Sequence, residues 1–175
     1  MLEYCSINVI ELAKKKAKIA SITEGRLMDE KRKKNFLLYG EGSTLNKGCE
    51  AILKTTIEKI KNSCKGKITL ATNDVQNDKM AFGDDVTTYV RQSFDDGELT
   101  NQDIENADIC LSVGGDNYSY GEPKWLYSIN KRIKTRCKKN VLWCASLYDK
   151  IESDDMIRDL KTYDMIVVRE ELSYN

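Results

Sequence analysis

Two polar loops, each directly after a short apolar run, hold the residues of this 175-residue chain whose types suit ligand chemistry. The first lies in Phe36-Leu-Leu-Tyr-Gly-Glu-Gly-Ser-Thr-Leu-Asn-Lys-Gly-Cys-Glu-Ala-Ile52. Gly40, Gly42 and Gly48 leave its backbone permissive, and Ser43, Thr44, Asn46 and Lys47 offer hydroxyl, amide and ammonium donors. A helix predicted from about Cys49 would add unpaired N–H groups and a partial positive charge, a combination that suits an anion. The second loop is Val113-Gly-Gly-Asp-Asn-Tyr-Ser-Tyr120. Gly114 and Gly115 would let a ligand approach the backbone closely. The Asp116 carboxylate can accept hydrogen bonds from two vicinal hydroxyls. Asn117 follows, and Tyr118 and Tyr120 supply flat faces for a sugar ring plus a hydroxyl each. A third element is Arg169, at the end of a later apolar run, whose guanidinium suits a carboxylate or phosphate bidentately. A plainer reading stands beside each: a capped strand-to-helix turn, a Gly-Gly turn with an Asx cap, and a surface ion pair.

The first loop fails the two common phosphate-binding templates. A dinucleotide fingerprint needs G-x-G-x-x-G, and Leu45 stands where the third glycine belongs. A P-loop ends in Gly-Lys-Ser/Thr, whereas here Lys47 precedes Gly48 and Cys49 follows. Histidine is absent, which removes the commonest general acid/base and metal ligand. The six cysteines include no C-x-x-C pair, so neither zinc nor a dithiol is indicated. Lys plus Arg and Asp plus Glu are both 28, so net charge gives no case for nucleic acid. Hydrophobic residues make up 41%, too many for a disordered chain. With no signal-peptide pattern at Met1-Leu-Glu-Tyr-Cys-Ser and no bilayer-length apolar run, the cytoplasm is the expected compartment.

The elements that must position these loops alternate between strand and helix. Strands are predicted at 36–39, 67–72, 86–91, 108–113, 141–145 and 165–168. Helices are predicted at 49–63, within 73–83, and at 100–106, 123–139 and 153–163, with a further one opening at Arg169. Thr100 with Asp103 matches a capping box, Pro123 suits a first turn, and Ser153 suits an N-cap. Several strands are continuous apolar runs, the mark of strands covered on both faces. The expectation is a doubly wound, mostly parallel, Rossmann-like α/β sheet. Trp125, Tyr127 and Trp143 read as packing residues. Residues 1–35 differ, with nine basic and five acidic residues. They read as a helical extension, over about 6–21, and a charged linker. A basic amphipathic helix suits peripheral contact with an acidic membrane surface or a partner, or simple packing on its own domain. The chain stops as a helix begins, so a truncated amino-terminal piece of a longer protein is expected.

Taken together, Tyr39-Gly-Glu-Gly-Ser-Thr-Leu-Asn-Lys-Gly-Cys-Glu-Ala-Ile52, Ser112-Val-Gly-Gly-Asp-Asn-Tyr-Ser-Tyr120 and Asp164-Met-Ile-Val-Val-Arg-Glu-Glu-Leu-Ser173 resemble the polysaccharide pyruvyl transferase family. The resemblance runs over residues 36–175 in family order. It implies the amino-terminal lobe of a glycosyltransferase-B-like enzyme that transfers pyruvyl from phosphoenolpyruvate to a sugar of a cell-surface or exopolysaccharide. Phosphoenolpyruvate is then the donor substrate, a sugar or lipid-linked glycan the acceptor, and no cofactor or metal is called for. Arg169 would grip the donor, as the family motif implies. Asp116, on chemical grounds, would orient or deprotonate the acceptor hydroxyl. The family's second lobe carries a histidine, and this chain has neither, so the fragment alone is expected to be inactive. The competing readings are a nucleotide-sugar glycosyltransferase lobe and a non-catalytic binding module.

Overall fold

A computed structural model describes residues 33–92, 99–147 and 153–173. The amino-terminal helix expected over 6–21 lies outside these, as does most of the charged linker. Six strands form one parallel sheet: β1 (Phe36–Tyr39), β2 (Ile68–Thr72), β3 (Thr88–Arg91), β4 (Ile109–Ser112), β5 (Asn140–Ala145) and β6 (Met165–Val168). Their spatial order is β3-β2-β1-β4-β5-β6, and every pairing is parallel. Among the described residues five α-helices interleave with them: α1 (Lys47–Ser63), α2 (Val75–Phe82), α3 (Asn101–Glu105), α4 (Lys124–Arg136) and α5 (Asp154–Leu160).

Strand β1 shows why the sheet is wound on both faces. Its four residues are all buried, and successive side chains point to opposite sides. Phe36 and Leu38 join Leu53, Ile57 and Ile60 of α1 and Phe82 of α2. Leu37 and Tyr39 join Ile104 of α3, Leu126, Ile129 and Ile133 of α4, and Met156 of α5. Each of these large side chains contributes about 1.5–3 kcal/mol by leaving water. The order places the topological switch point between β1 and β4, the position where doubly wound sheets open a crevice at the carboxyl ends of their strands.

Local signals set the ends of the elements. The capping box at Thr100 and Asp103 is formed in both directions, and the Ser153 side chain accepts from the Met156 amide. Helix α1 starts two residues earlier than expected, because Asn46 caps it by accepting from Gly48 N. Pro123 sits at the N-cap of α4 rather than in its first turn. The helix expected to open at Arg169 is, as far as Ser173, a 3-10 turn over Glu171–Ser173. Trp143 is 6% exposed, and its indole donates to Thr56 Oγ1 at 3.0 Å; Trp125 and Tyr127 pack against the opposite core. Among the described residues no helix is long and apolar enough to cross a membrane.

Candidate functional site at the carboxyl rim

The turn after β1 and the turn after β4 are joined across the switch point by one side chain. Asn117 Nδ2 donates to Gly40 O at 2.7 Å, while Gly40 N donates to Gln92 Oε1 at 3.0 Å from the end of β3. Gly40 has φ of 86°, a conformation glycine adopts at little cost. Gly114 is buried, and a Cβ there would lie 2.3 Å from Gly40 O and 1.9 Å from Asn117 Nδ2. The space beside Gly114 is therefore filled by protein. The lack of a side chain at Gly114 lets the two turns pack. Gly115 is also buried, with Arg169 Nη1 at 3.0 Å and Ile52 Cδ1 at 3.1 Å from where its Cβ would stand.

Arg169 and Asp116 meet at the rim. Arg169 Nη2 donates to Asp116 Oδ1, and its Nε donates to Ser146 Oγ at 2.6 Å and to Glu170 Oε2 at 3.2 Å. The pair is about half-exposed, with side-chain exposures of 41% and 50%, which suits a group that must meet a ligand. Glu170 accepts from the Ser173 hydroxyl. Desolvation pushes the Glu170 carboxyl up, but hydrogen bonds from Ser173 and Ser146 and the Arg169 charge outweigh it and hold the group below its usual range.

A bulge at the end of β5 places Ser146 in this cluster. Register with β6 slips between Trp143 and Ala145, leaving Cys144 as the extra residue at φ of 56°. Bulges re-aim the residues that follow them and recur beside functional sites. Here the result is that Ser146 N donates to Gly115 O at 2.7 Å, and Arg169 N donates to Ala145 O at 3.1 Å. Ser146 was not foreseen from sequence, and neither cysteine nor its neighbours signals a left-handed residue.

At Tyr118 the structure corrects an expectation. It was expected to stack on a sugar, but it is 1% exposed. Its hydroxyl donates to Asp159 Oδ2 at 2.5 Å and lies 2.9 Å from the Tyr163 hydroxyl. Asn130 Nδ2 reaches Asp159 Oδ2 and the Tyr163 hydroxyl, both at 2.8 Å, and Asn130 Oδ1 accepts from the Tyr39 hydroxyl at 2.8 Å. Burial pushes the Tyr118 phenol far up and pushes Tyr163 up to about 12, so both remain neutral donors. Tyr118 thus roots the β4 turn in the core beneath Asp116. Tyr118→Phe is expected to lower stability by about 1–3 kcal/mol, because buried Asp159 loses a donor; urea denaturation measures it. An unchanged midpoint would contradict this anchoring role.

The first turn is also more committed to the fold than its residue types suggested. Asn46 spends its carboxamide oxygen on the cap, Lys47 pairs with Glu50 at 2.6 Å, and Ser43 Oγ accepts from Leu45 N at 3.1 Å. Thr44 is buried, and its N–H and hydroxyl both donate to Asp78 Oδ1, at 3.0 and 2.5 Å. At Asn46, Lys47 and Thr44 the capped-turn reading describes the structure. Gly42 and Gly48 are exposed, with nothing near a Cβ at Gly42, so the open part of the turn faces solvent at these positions. Tyr120 is 88% exposed and is the aromatic left on the rim by this turn.

Two surface cavities of about 360 and 330 Å³ lie away from this cluster, one along α1 and α2 and one at the amino ends of β1, β2 and β3. Neither contains a residue expected to bind substrate. Among the described residues no group of three or more Asp, Glu or Cys is placed to hold a metal ion. Comparisons with models of protein families, with curated proteins and with solved structures returned no match.

Proposed function

We propose that this chain is the amino-terminal lobe of a pyruvyl transferase acting on a polysaccharide or its lipid-linked precursor, with phosphoenolpyruvate as donor. The observation that carries the reading is the meeting of three sequence segments at one rim. The Gly40, Gly114–Tyr120 and Arg169–Ser173 segments lie far apart in sequence, yet Asn117 ties the first to the second and Arg169 ties the second to the third.

The Arg169–Asp116 pair suggests how the chemistry would be staged. An arginine fork binds a carboxylate or phosphate oxygen well, and the arriving donor is an anion. It would take Asp116's place on Nη2 of Arg169. Ser146 would go on holding the guanidinium at Nε. The released Asp116 carboxylate would then face the acceptor hydroxyl, where it orients or deprotonates the nucleophile. Protonation of phosphoenolpyruvate at C3 makes C2 electrophilic, one sugar hydroxyl attacks C2 and gives up its proton, and phosphate leaves as a second hydroxyl of the same sugar bonds to C2 and loses its proton, which closes the ketal. The proton donor to C3 belongs, in this reading, to the second lobe.

The test is phosphate release from phosphoenolpyruvate by the full-length protein with a broad panel of glycan acceptors. Acceptor-dependent release is the expected result. Absence of release with every acceptor would count heavily against the reading. The competing glycosyltransferase reading predicts a thermal shift with uridine or guanosine diphosphate sugars and none with phosphoenolpyruvate.

A further inference from the structure

Glu41 follows Gly40 in the first turn and is 1% exposed. Neither of its carboxyl oxygens meets a donor at hydrogen-bonding geometry. Beside it lie Asp78 of α2, Asp74 at the start of that helix, and Thr72 at the end of β2. Thr72 has a single hydroxyl hydrogen, and Asp78 takes it. The same Asp78, 0% exposed, accepts from the amide and hydroxyl of Thr44, three residues beyond Glu41. Asp78 therefore has a full set of donors for an anion, and Glu41 has none. Among the described residues no lysine or arginine forms a salt bridge with Glu41 or Asp78. A buried carboxyl in that setting resists ionisation, because two adjacent carboxylates without a cation repel strongly away from water.

We propose that Glu41 and Asp78 form a proton-linked latch on the Gly40–Asn46 turn, so that the candidate site is held closed on the β2 side when Glu41 carries its proton and loosens when it does not. The turn carries both halves of the device: Glu41 senses the proton, and Thr44 is the part that Asp78 grips. When Glu41 ionises, the turn relieves the repulsion by swinging Glu41 toward water. That motion pulls on the Thr44–Asp78 bonds. The regulation bears on the site assigned above, but the latch is independent of what that site transforms.

The direction of the pH dependence follows from burial first and the Asp78 charge second, which together push Glu41 up to about 8 from its ordinary value. An opened turn returns Glu41 to the ordinary carboxylate range. The closed turn then binds one more proton than the open one between that range and about pH 8. Closure is firmest at acidic pH, weakens as pH rises through this window, and changes no further above it.

Amide hydrogen exchange of Thr44 reads the latch without any substrate. In the wild-type protein its protection, corrected for intrinsic exchange, is expected to fall about tenfold per unit between about pH 6 and about pH 8, while amides of β1 and β4 keep theirs. In Glu41→Gln, which keeps the shape and removes the charge, Thr44 protection should be flat. A carbon-13 titration of the Glu41 carboxyl in the wild-type protein gives a second reading should the variant fold poorly. Flat Thr44 protection in the wild type, an equal fall in Glu41→Gln, or titration of Glu41 near the ordinary carboxylate value would each overturn the latch. Failure of phosphate release would leave it standing.

Discussion

Replacing Arg169 with alanine in the full-length protein is expected, on the proposed reading, to reduce phosphate release about 100- to 1,000-fold while leaving the sheet folded. The magnitude is that of removing a preorganised charged donor from a reacting group. The separation of activity from stability follows from exposure. An ion pair as open as Arg169 with Asp116 contributes about 0–1 kcal/mol to folding, and Arg169 N–H to Ala145 O is a backbone bond that alanine keeps. Lysine is the sharper variant. It preserves the charge but not the fork that reaches Asp116 through Nη2 and Ser146 through Nε. If the planar fork matters, Arg169→Lys should be impaired nearly as much as Arg169→Ala. Steady-state kinetics with phosphoenolpyruvate varied should show KM rising, with kcat falling as well if the contact tightens in the transition state. Retention of activity within about tenfold in both variants would remove Arg169 from the donor site.

Asp116 should behave differently from its partner. Removing its carboxylate frees the guanidinium that it occupies in the absence of substrate, so Asp116→Asn is expected to bind phosphoenolpyruvate at least as tightly as the wild type while turning over more slowly. A KM that falls together with kcat is the signature of a ground-state contact that the substrate must displace. A rise in KM alone would instead make Asp116 a simple binding residue.

The architecture was legible in the sequence because parallel strands covered on both faces are written as uninterrupted apolar runs. Phe36–Tyr39 and Val141–Ala145 needed no neighbours to be recognised, and Thr100 with Asp103 announced a helix start by local bonding alone. The three segments at the rim were legible for the same reason: each follows a strand, and strand ends of one parallel sheet share an edge. What stayed hidden depends on contacts between distant residues. Tyr118 and Tyr120 are alike in sequence, and they differ only because Asp159, Asn130 and Tyr163 wait beneath the first. Nothing in the sequence around Glu41 shows that it is buried, with Asp78 and Thr72 beside it. The bulge at Cys144 has no local cause, since a cysteine is not a residue that favours positive φ. What accompanies it is long-range: Ser146 N bonds to Gly115 O and Arg169 N to Ala145 O.

Gly114→Ala is expected to be the most disruptive single-methyl change at the rim. The added Cβ would stand 2.3 Å from Gly40 O, and that oxygen is backbone that a rotamer change does not move. The other clash, 1.9 Å from Asn117 Nδ2, is with a side chain, but its escape breaks the bond to Gly40 O that joins the two turns. Overpacking of this kind costs about 1–3 kcal/mol, and losing the part-buried bond adds about 0.5–1.5 kcal/mol. For a domain of this size the melting temperature should fall by about 2–4 °C per kcal/mol. Gly42→Ala is the matched control, because nothing lies within 4 Å of its Cβ; its effect should stay within about 0.5 kcal/mol. Calorimetry on the two variants decides between the two roles open to a Gly-Gly pair after a strand. If Gly114 exists to admit a ligand, alanine should spare the melting temperature and damage substrate binding alone. If it exists to let the β1 and β4 turns touch, stability falls first, and any loss of activity follows from Asn117 and Asp116 losing their places.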